Sequence, residues 1–347
     1  MTVDTPAQAP VVIRPRSFGL TVRSVVGYAL STALMFISPL ILFVPAALLN
    51  CILRNGRRGA WLALGGAAAL LAALLIGSAT PHLLAPAEAA NILALLLAVG
   101  MPTLVISSMV RHGVPFGAVL LTGTGASASG LLLTELIMRT ASNYSPYLAM
   151  SQNFRDNSAI WLEAYRKAQV PPDALRLMKS WSDGMATAYL PTLLLVTAVL
   201  MFVLSLTMLT RLPAWREHVL SRPPVELARL AAGPYLFRNL ALPEWLLLAF
   251  VVGGLSPLAT GVLQKIGGNI LAVVGFLYLL QGLAVFRSLL LTIGAGLGGV
   301  LLAWMTLGLL TLSGIAPLLL SIAGLFDSFF DFRHFKRKDD SHESHID

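Results

Sequence analysis

The chain has 347 residues, of which 56 % are apolar and only 12 % charged, with a mean hydropathy of +0.79. A soluble domain carries about a quarter charged residues to keep its surface wet. Half that share, with apolar runs of about 20 residues recurring along the chain, excludes a soluble fold and describes an all-α, polytopic membrane protein. Lys and Arg number 24 against 16 acids, a net charge of +8. In a membrane chain such an excess collects in cytoplasmic loops, so no nucleic-acid partner is expected. The single cysteine, Cys51, excludes an internal disulfide and any multi-cysteine metal site.

In chain order, residues 1–24 are polar, proline-containing and basic, and read as an uncleaved cytoplasmic tail. Apolar runs follow near 25–53, 58–78, 89–110, 114–138, 186–210, 243–263, 267–287 and 288–329. The last run is long enough for two crossings, divided near Ser313-Gly314. The first is long for one span and short for two, and Ser38-Pro39 stands in its middle; proline removes a donor and disfavours helix in the residue before it, so a hairpin broken there is expected. That hairpin puts 17 basic residues on the cytoplasmic side and 7 outside, the sharper asymmetry of the two topologies, with both termini cytoplasmic. The expectation is about eight full spans plus the hairpin, a membrane domain over 25–329, and a basic then acidic cytoplasmic tail over 330–347 in the bacterial inner membrane.

Two stretches stand apart from the spans. Residues 139–185 read as an outside segment of two helices separated by Val170-Pro171-Pro172, with Asp173 placed to cap the second. Trp161, Leu162 and Tyr165 on one and Leu175, Leu177, Met178 and Trp181 on the other give them apolar faces suited to the membrane surface. Residues 211–242 read as a basic cytoplasmic loop in which PPVELARLAAG forms a short helix stopped by Gly233.

Charges within lipid are costly, so each is a functional candidate. Glu135 precedes Arg139 by four residues, on one helix face; an interfacial ion pair is favoured over a ligand or proton site. Asn269 and Gln281 are twelve residues apart and read as sharing a helix stripe, either bonding other helices or contacting a ligand. The run GTGASASG, Gly123 to Gly130, lacks the ending of a phosphate loop and reads as close helix packing, as do Gly294, Gly296, Gly298 and Gly299. Asp327, Asp331 and Arg333 form a cluster at the inner end of the last span, where the carboxylates are expected to bind arginines of the cytoplasmic loops. His342 and His345 lack supporting ligands, Ser107 and Ser108 lack a base, and no HExxH or GxSxG run is present; no catalytic, metal or cofactor residue is assigned, and an enzyme is not expected.

The segments FRNLALPEWLLL (Phe237 to Leu248), GNILAVVGFLYLLQGLAVFRSLL (Gly268 to Leu290) and GIAPLLLSIAGLFDSFFDFRHF (Gly314 to Phe335) resemble the YybS-like family of predicted bacterial membrane proteins, a domain of unknown function. LFVPAALLNCILRNGRRGAWLAL (Leu42 to Leu64) fits that family's opening. The family is similar in fold to the substrate-binding subunits of energy-coupling-factor vitamin transporters. The resemblance implies a small molecule bound near the outer face, a membrane coupling subunit met by an alanine-rich first helix, and separate ATPases. Ala29 and Ala33 match that helix feature in type, and the long outside segment departs from the pattern. Two functions compete: transport-like binding of an unknown small molecule, and a scaffold for envelope or division proteins.

Overall fold

The structure, a computed structural model, describes residues 22–78, 85–294, 296–312 and 314–330. Every regular element among them is helical, as required where backbone groups have no water to bond. Helix α1 (Val22–Phe36) stops before Ser38, whose backbone is extended and whose Oγ accepts the Leu40 N–H. A short turn at Pro39–Phe43 then leads into α2 (Val44–Ser78). Asn50 Nδ2 donates to Tyr28 Oη at 2.8 Å and Ser24 Oγ to Asn55 Oδ1 at 2.9 Å, a descending register against an ascending one. Residues 25–53 are therefore an antiparallel hairpin broken at Ser38-Pro39.

Helix α2 reverses in its turn. Gly56 has φ +73°, open to glycine and strained for other residues. Continued straight, α2 would carry Gly66 about 16 Å beyond Asn55, away from Ala29. Instead a Cβ added to Gly66 would stand 3.0 Å from Ala29 Cβ. The basic turn Arg54–Arg58 is thus the corner of a second hairpin, and Arg111 Nη2 closes it by donating to Ile52 O at 3.1 Å.

The next stretch, Pro86–Arg111, joins α3 (Pro86–Ala94) to α4 (Met101–Arg111) through a π turn, Leu95–Gly100. Pro102 has no N–H to give the carbonyl four residues earlier, Ala98 O, and Ser127 Oγ supplies one at 2.7 Å. Ser127 belongs to α5 (Phe116–Ser142), inside the GTGASASG run. A Cβ on Gly130 would meet Leu97 O at 2.1 Å, and one on Gly123 would press on the Phe202 ring, so the run is a packing seam.

Helices α6 (Pro146–Lys167) and α7 (Pro172–Gly184) form a hairpin whose base is pinned by Ser151 Oγ donating to Ala186 O at 2.8 Å. Helix α7 runs through a π turn, Met185–Tyr189, into α8 (Leu190–Leu209) without a sharp bend. The hairpin therefore stands off the end of the bundle, where its apolar faces suggest helices lying flat on the membrane. Asp173 sits in the first turn of α7 and pairs with Arg176 at 3.7 Å, and the N-cap position belongs to Pro171.

Helices α9 (Pro213–Leu220) and α10 (Pro224–Ala231) pack under the bundle, and Gly233, φ +69°, ends the second as expected. Tyr235 is buried beneath the α4–α5 turn, its Oη within 3.1–3.3 Å of the carbonyls of Met109, Val110 and Val114. The chain then climbs through α11 (Leu246–Gly254) and descends as α12 (Gly261–Thr292). Leu242 faces Gln281, Gly253 faces Leu271 and Ser256 faces Gly267, so 242–256 traverses the same depth as the α12 segment beside it. Helices α13 (Leu297–Leu312) and α14 (Ile315–Phe330) meet at a bend of 111° near Gly314. Residues 275, 278 and 281 face 321, 324 and 327, so α12 and α14 are parallel and α13 must lead back between them.

Among the described residues five helical stretches are long and apolar enough to cross a membrane, six if the bent α13–α14 pair is one span. Four of the eight apolar runs expected to span lie in such helices, at 89–110, 114–138, 186–210 and 267–287, and the full count of eight is not reached among the described residues. Breaks at Pro39, Pro257 and Gly314 cut α1, α11, α13 and α14 below about 18 residues. One of the five, Pro39–Leu75, is itself the Gly56 hairpin. Gly294, with φ +65°, and Gly296 sit at the break before α13 and Gly298 in its first turn; a Cβ added to any of the three would meet open space, so they are not the close-packing contacts their spacing suggests.

Candidate functional site

A half-open groove of about 840 Å³ lies where α3, α5, α6 and the start of α8 diverge. It exists because Pro146 turns the chain away from α5 while α7 and α8 run past, leaving a wedge between them. Alanines and leucines form its wall: Ala90, Ala94, Ala128, Leu131, Leu194 and Leu195. The polar groups are Glu135, Arg139, Tyr144, Tyr147, Asn91 and Asn153, an arrangement that can take a largely apolar molecule with a polar end.

Glu135 organises this groove. Its carboxylate accepts from Arg139 Nε at 2.7 Å, Ser145 Oγ at 2.5 Å and the Tyr147 N–H at 2.9 Å. Ser145 is the N-cap of α6 and accepts the Leu148 N–H, while Glu135 reaches from α5 to accept the Tyr147 N–H and to meet the positive dipole end of the helix. The ion pair read from the i, i+4 spacing is present. The spacing gave no sign of the capping bonds or of the groove beside them, since both depend on where α6 turns.

Asn269 and Gln281 do not share a site. Twelve residues make 3.3 turns, and the residual third of a turn aims them about 120° apart at different neighbours. Asn269 inserts its amide into α8: Oδ1 accepts the Thr192 N–H at 3.1 Å and Thr192 Oγ1 at 2.6 Å, while Nδ2 donates to Ala188 O at 2.8 Å. Thr192 N–H and Ala188 O would bond each other in a regular helix, and the π turn before Pro191 has parted them. Gln281 accepts the Leu242 N–H at 3.1 Å and donates to Asp327 Oδ2 at 3.1 Å. Asn269 thus ties α12 to α8, and Gln281 ties it to α14 and to the segment before α11.

Asp327 is buried in α14 and accepts a hydrogen bond from Gln281 Nε2, where arginines of the cytoplasmic loops were the expected donors; Asp331 and Arg333 lie outside the described residues, as do His342 and His345. Ala29 and Ala33 are buried against α2. Their small side chains serve packing within this chain, which corrects their assignment as a surface for a partner helix. The exposed stripe of α1 is Val22, Val26, Leu30 and Leu34, at four-residue spacing. Ser107 and Ser108 return their hydroxyls to Leu104 O and Val105 O of their own helix. Among the described residues no group of His, Cys, Asp and Glu is placed to hold a metal ion.

At the other end of the bundle, His218 of α9 is wedged beside Arg222, whose Nη2 lies 3.3 Å from its Nε2, with Arg111 O at 3.5 Å. Burial lowers its pKa below the ordinary histidine value, and the neighbouring arginines lower it further.

No curated protein and no solved structure matches the chain. The family described as "Predicted membrane protein (DUF2232)" matches residues 24–328, from the first turn of α1 to the last turn of α14. With its paired N-terminal hairpins, basic corner and parallel closing helices all inside that match, the chain belongs to this predicted membrane protein family.

Proposed function

We propose that the protein is a transport-like membrane protein that binds a small molecule in the α3–α5–α6–α8 groove. The observation that carries this reading is the groove itself: a mostly apolar wall, a few polar groups gathered around Glu135, and a volume of about 840 Å³, within the usual range for such sites. The likeness to YybS-like proteins and to vitamin-transporter substrate-binding subunits points the same way. On this reading the groove opens to the outside, the basic corners at Arg54–Arg58 and Arg111 face the cytoplasm of a bacterial inner membrane, and both termini are cytoplasmic. A membrane coupling subunit with separate ATPases would meet the exposed α1 stripe, and energy would come from those partners.

The scaffold reading has one observation in its favour. The α6–α7 hairpin exposes Trp161 and Trp181 at 66 % and 70 %, a surface that suits a protein or headgroup contact. Native mass spectrometry of the full chain in mild detergent separates the two. A carried small molecule that disappears when Ala128→Phe fills the groove supports binding. Retention of that molecule by the filled variant, or envelope proteins bound with no small molecule carried, overturns it.

A further inference from the structure

A second groove, of about 500 Å³, opens on the flank of the bundle between the C-terminal halves of α8 and α12 and the 236–238 segment. Its composition changes along its length. One part of the wall is apolar, formed by side chains that include Leu200, Val203, Leu204 and Leu280; Arg211, Arg238 and Arg287 also line it, and no acidic side chain does. Arg211 lies two residues past the end of α8, and Arg287 lies in the last two turns of α12, so these arginines sit where the membrane helices finish. All three arginines are exposed.

We propose that this groove binds an anionic phospholipid, with its phosphate between Arg211, Arg238 and Arg287 and an acyl chain against the leucine wall. Positive charge at helix ends is general in membrane proteins and needs no ligand. Here three arginines from separate segments line one groove, with apolar lining residues extending from them into the depth of α8 and α12. Guanidinium is the donor best shaped for phosphate oxygens. A free anion would leave the apolar part of the wall unused, whereas in hydrocarbon an acyl chain fills it. The match of charge at the headgroup level with a chain-lining surface below it selects the lipid.

The full-chain protein is purified, reconstituted with equal amounts of phosphatidylglycerol and phosphatidylcholine, and its retained lipids are counted by native mass spectrometry. Wild type should retain phosphatidylglycerol preferentially. An Arg211→Gln/Arg287→Gln variant should lose roughly 30-fold of that preference, the scale of two arginines near a charged headgroup. An Arg155→Gln/Arg176→Gln control on the α6–α7 hairpin should keep it. Equal retention of both lipids by wild type overturns the proposal, and that comparison stands even if the double variant fails to accumulate. Undiminished preference in the double variant overturns it too. So does displacement of the lipid by millimolar inorganic phosphate, which would mark an anion site indifferent to the acyl chain.

Discussion

Helices α12 and α14 touch backbone to backbone at Gly282 and Gly324, so Gly282→Ala and Gly324→Ala should each destabilise the protein severely. A methyl group on Gly282 would stand 1.9 Å from Leu320 O; on Gly324 it would meet Tyr278 O at 2.0 Å and Gly282 N at 2.6 Å. Carbon and oxygen approach to about 3.3–3.6 Å, so the helices must part by roughly 1.5 Å. Two bonds across the seam are already near their limit: Gln281 Nε2 to Asp327 Oδ2 at 3.1 Å and Ser321 Oγ to Gly275 O at 3.2 Å. Parting the helices breaks both. Overpacking costs about 1–3 kcal/mol, and interhelical hydrogen bonds in membranes average about 0.6 kcal/mol each, giving about 2–4 kcal/mol per variant. The double variant should cost less than the sum, because one separation relieves both clashes. Reversible unfolding in mixed detergent micelles measures these values, with Gly275→Ala as the control: it lies on the same helix and its added methyl meets open space. A Gly282→Ala cost no greater than that of Gly275→Ala would refute the backbone seam.

Asn269→Ala strands the Thr192 N–H and Ala188 O inside the π turn of α8 and should cost about 2–3 kcal/mol; an unchanged unfolding midpoint would show that the turn closes without it. Glu135→Ala removes two bonds at the start of α6 and the ion pair to Arg139 within α5, and should cost about 2–4 kcal/mol while raising protease cleavage in the α6–α7 hairpin, with Glu135→Gln costing about 1 kcal/mol; wild-type protease resistance in the alanine variant would refute the capping role. His218 has a lowered pKa, so below the ordinary histidine value the unfolded chain binds a proton that the folded one resists. Stability should therefore be full above about pH 6.5 and fall as the solution is acidified, and His218→Gln should flatten that part of the pH profile; an identical acid loss in the variant would assign it to other groups.

What the sequence discloses and what it hides follow from the solvent. In a water-soluble helix the apolar stripe faces the core, so periodicity reveals packing. In lipid both faces are apolar, and a leucine on α12 carries no mark of whether it meets α14 or an acyl chain. The helical class, the break at Ser38-Pro39, the basic corner after Leu53 and the limits of α10 were legible because proline, glycine and charge act locally. Gly282 and Gly324 were not, being ordinary glycines in different runs, while the denser set Gly294, Gly296 and Gly298 drew a packing reading that the open space around these three does not support. The groove was hidden for the same reason, since its wall comes from four separate helices.

Prolines inside the apolar runs offer a better signal than small residues do. Each removes a donor from its own helix and leaves a carbonyl that lipid cannot satisfy, so a polar side chain from elsewhere must answer it. Pro102 leaves Ala98 O, answered by Ser127 of α5. Around Pro191, Ala186 O is answered by Ser151 and Ala188 O by Asn269. These three bonds tie α4 to α5, α8 to α6 and α8 to α12, and they place the walls of the α3–α5–α6–α8 groove. Asn269 therefore belongs to the argument about function even though it touches no ligand site: by holding α8 open at its π turn it fixes the direction in which α7 leaves, and with it the width of the wedge that Glu135 borders.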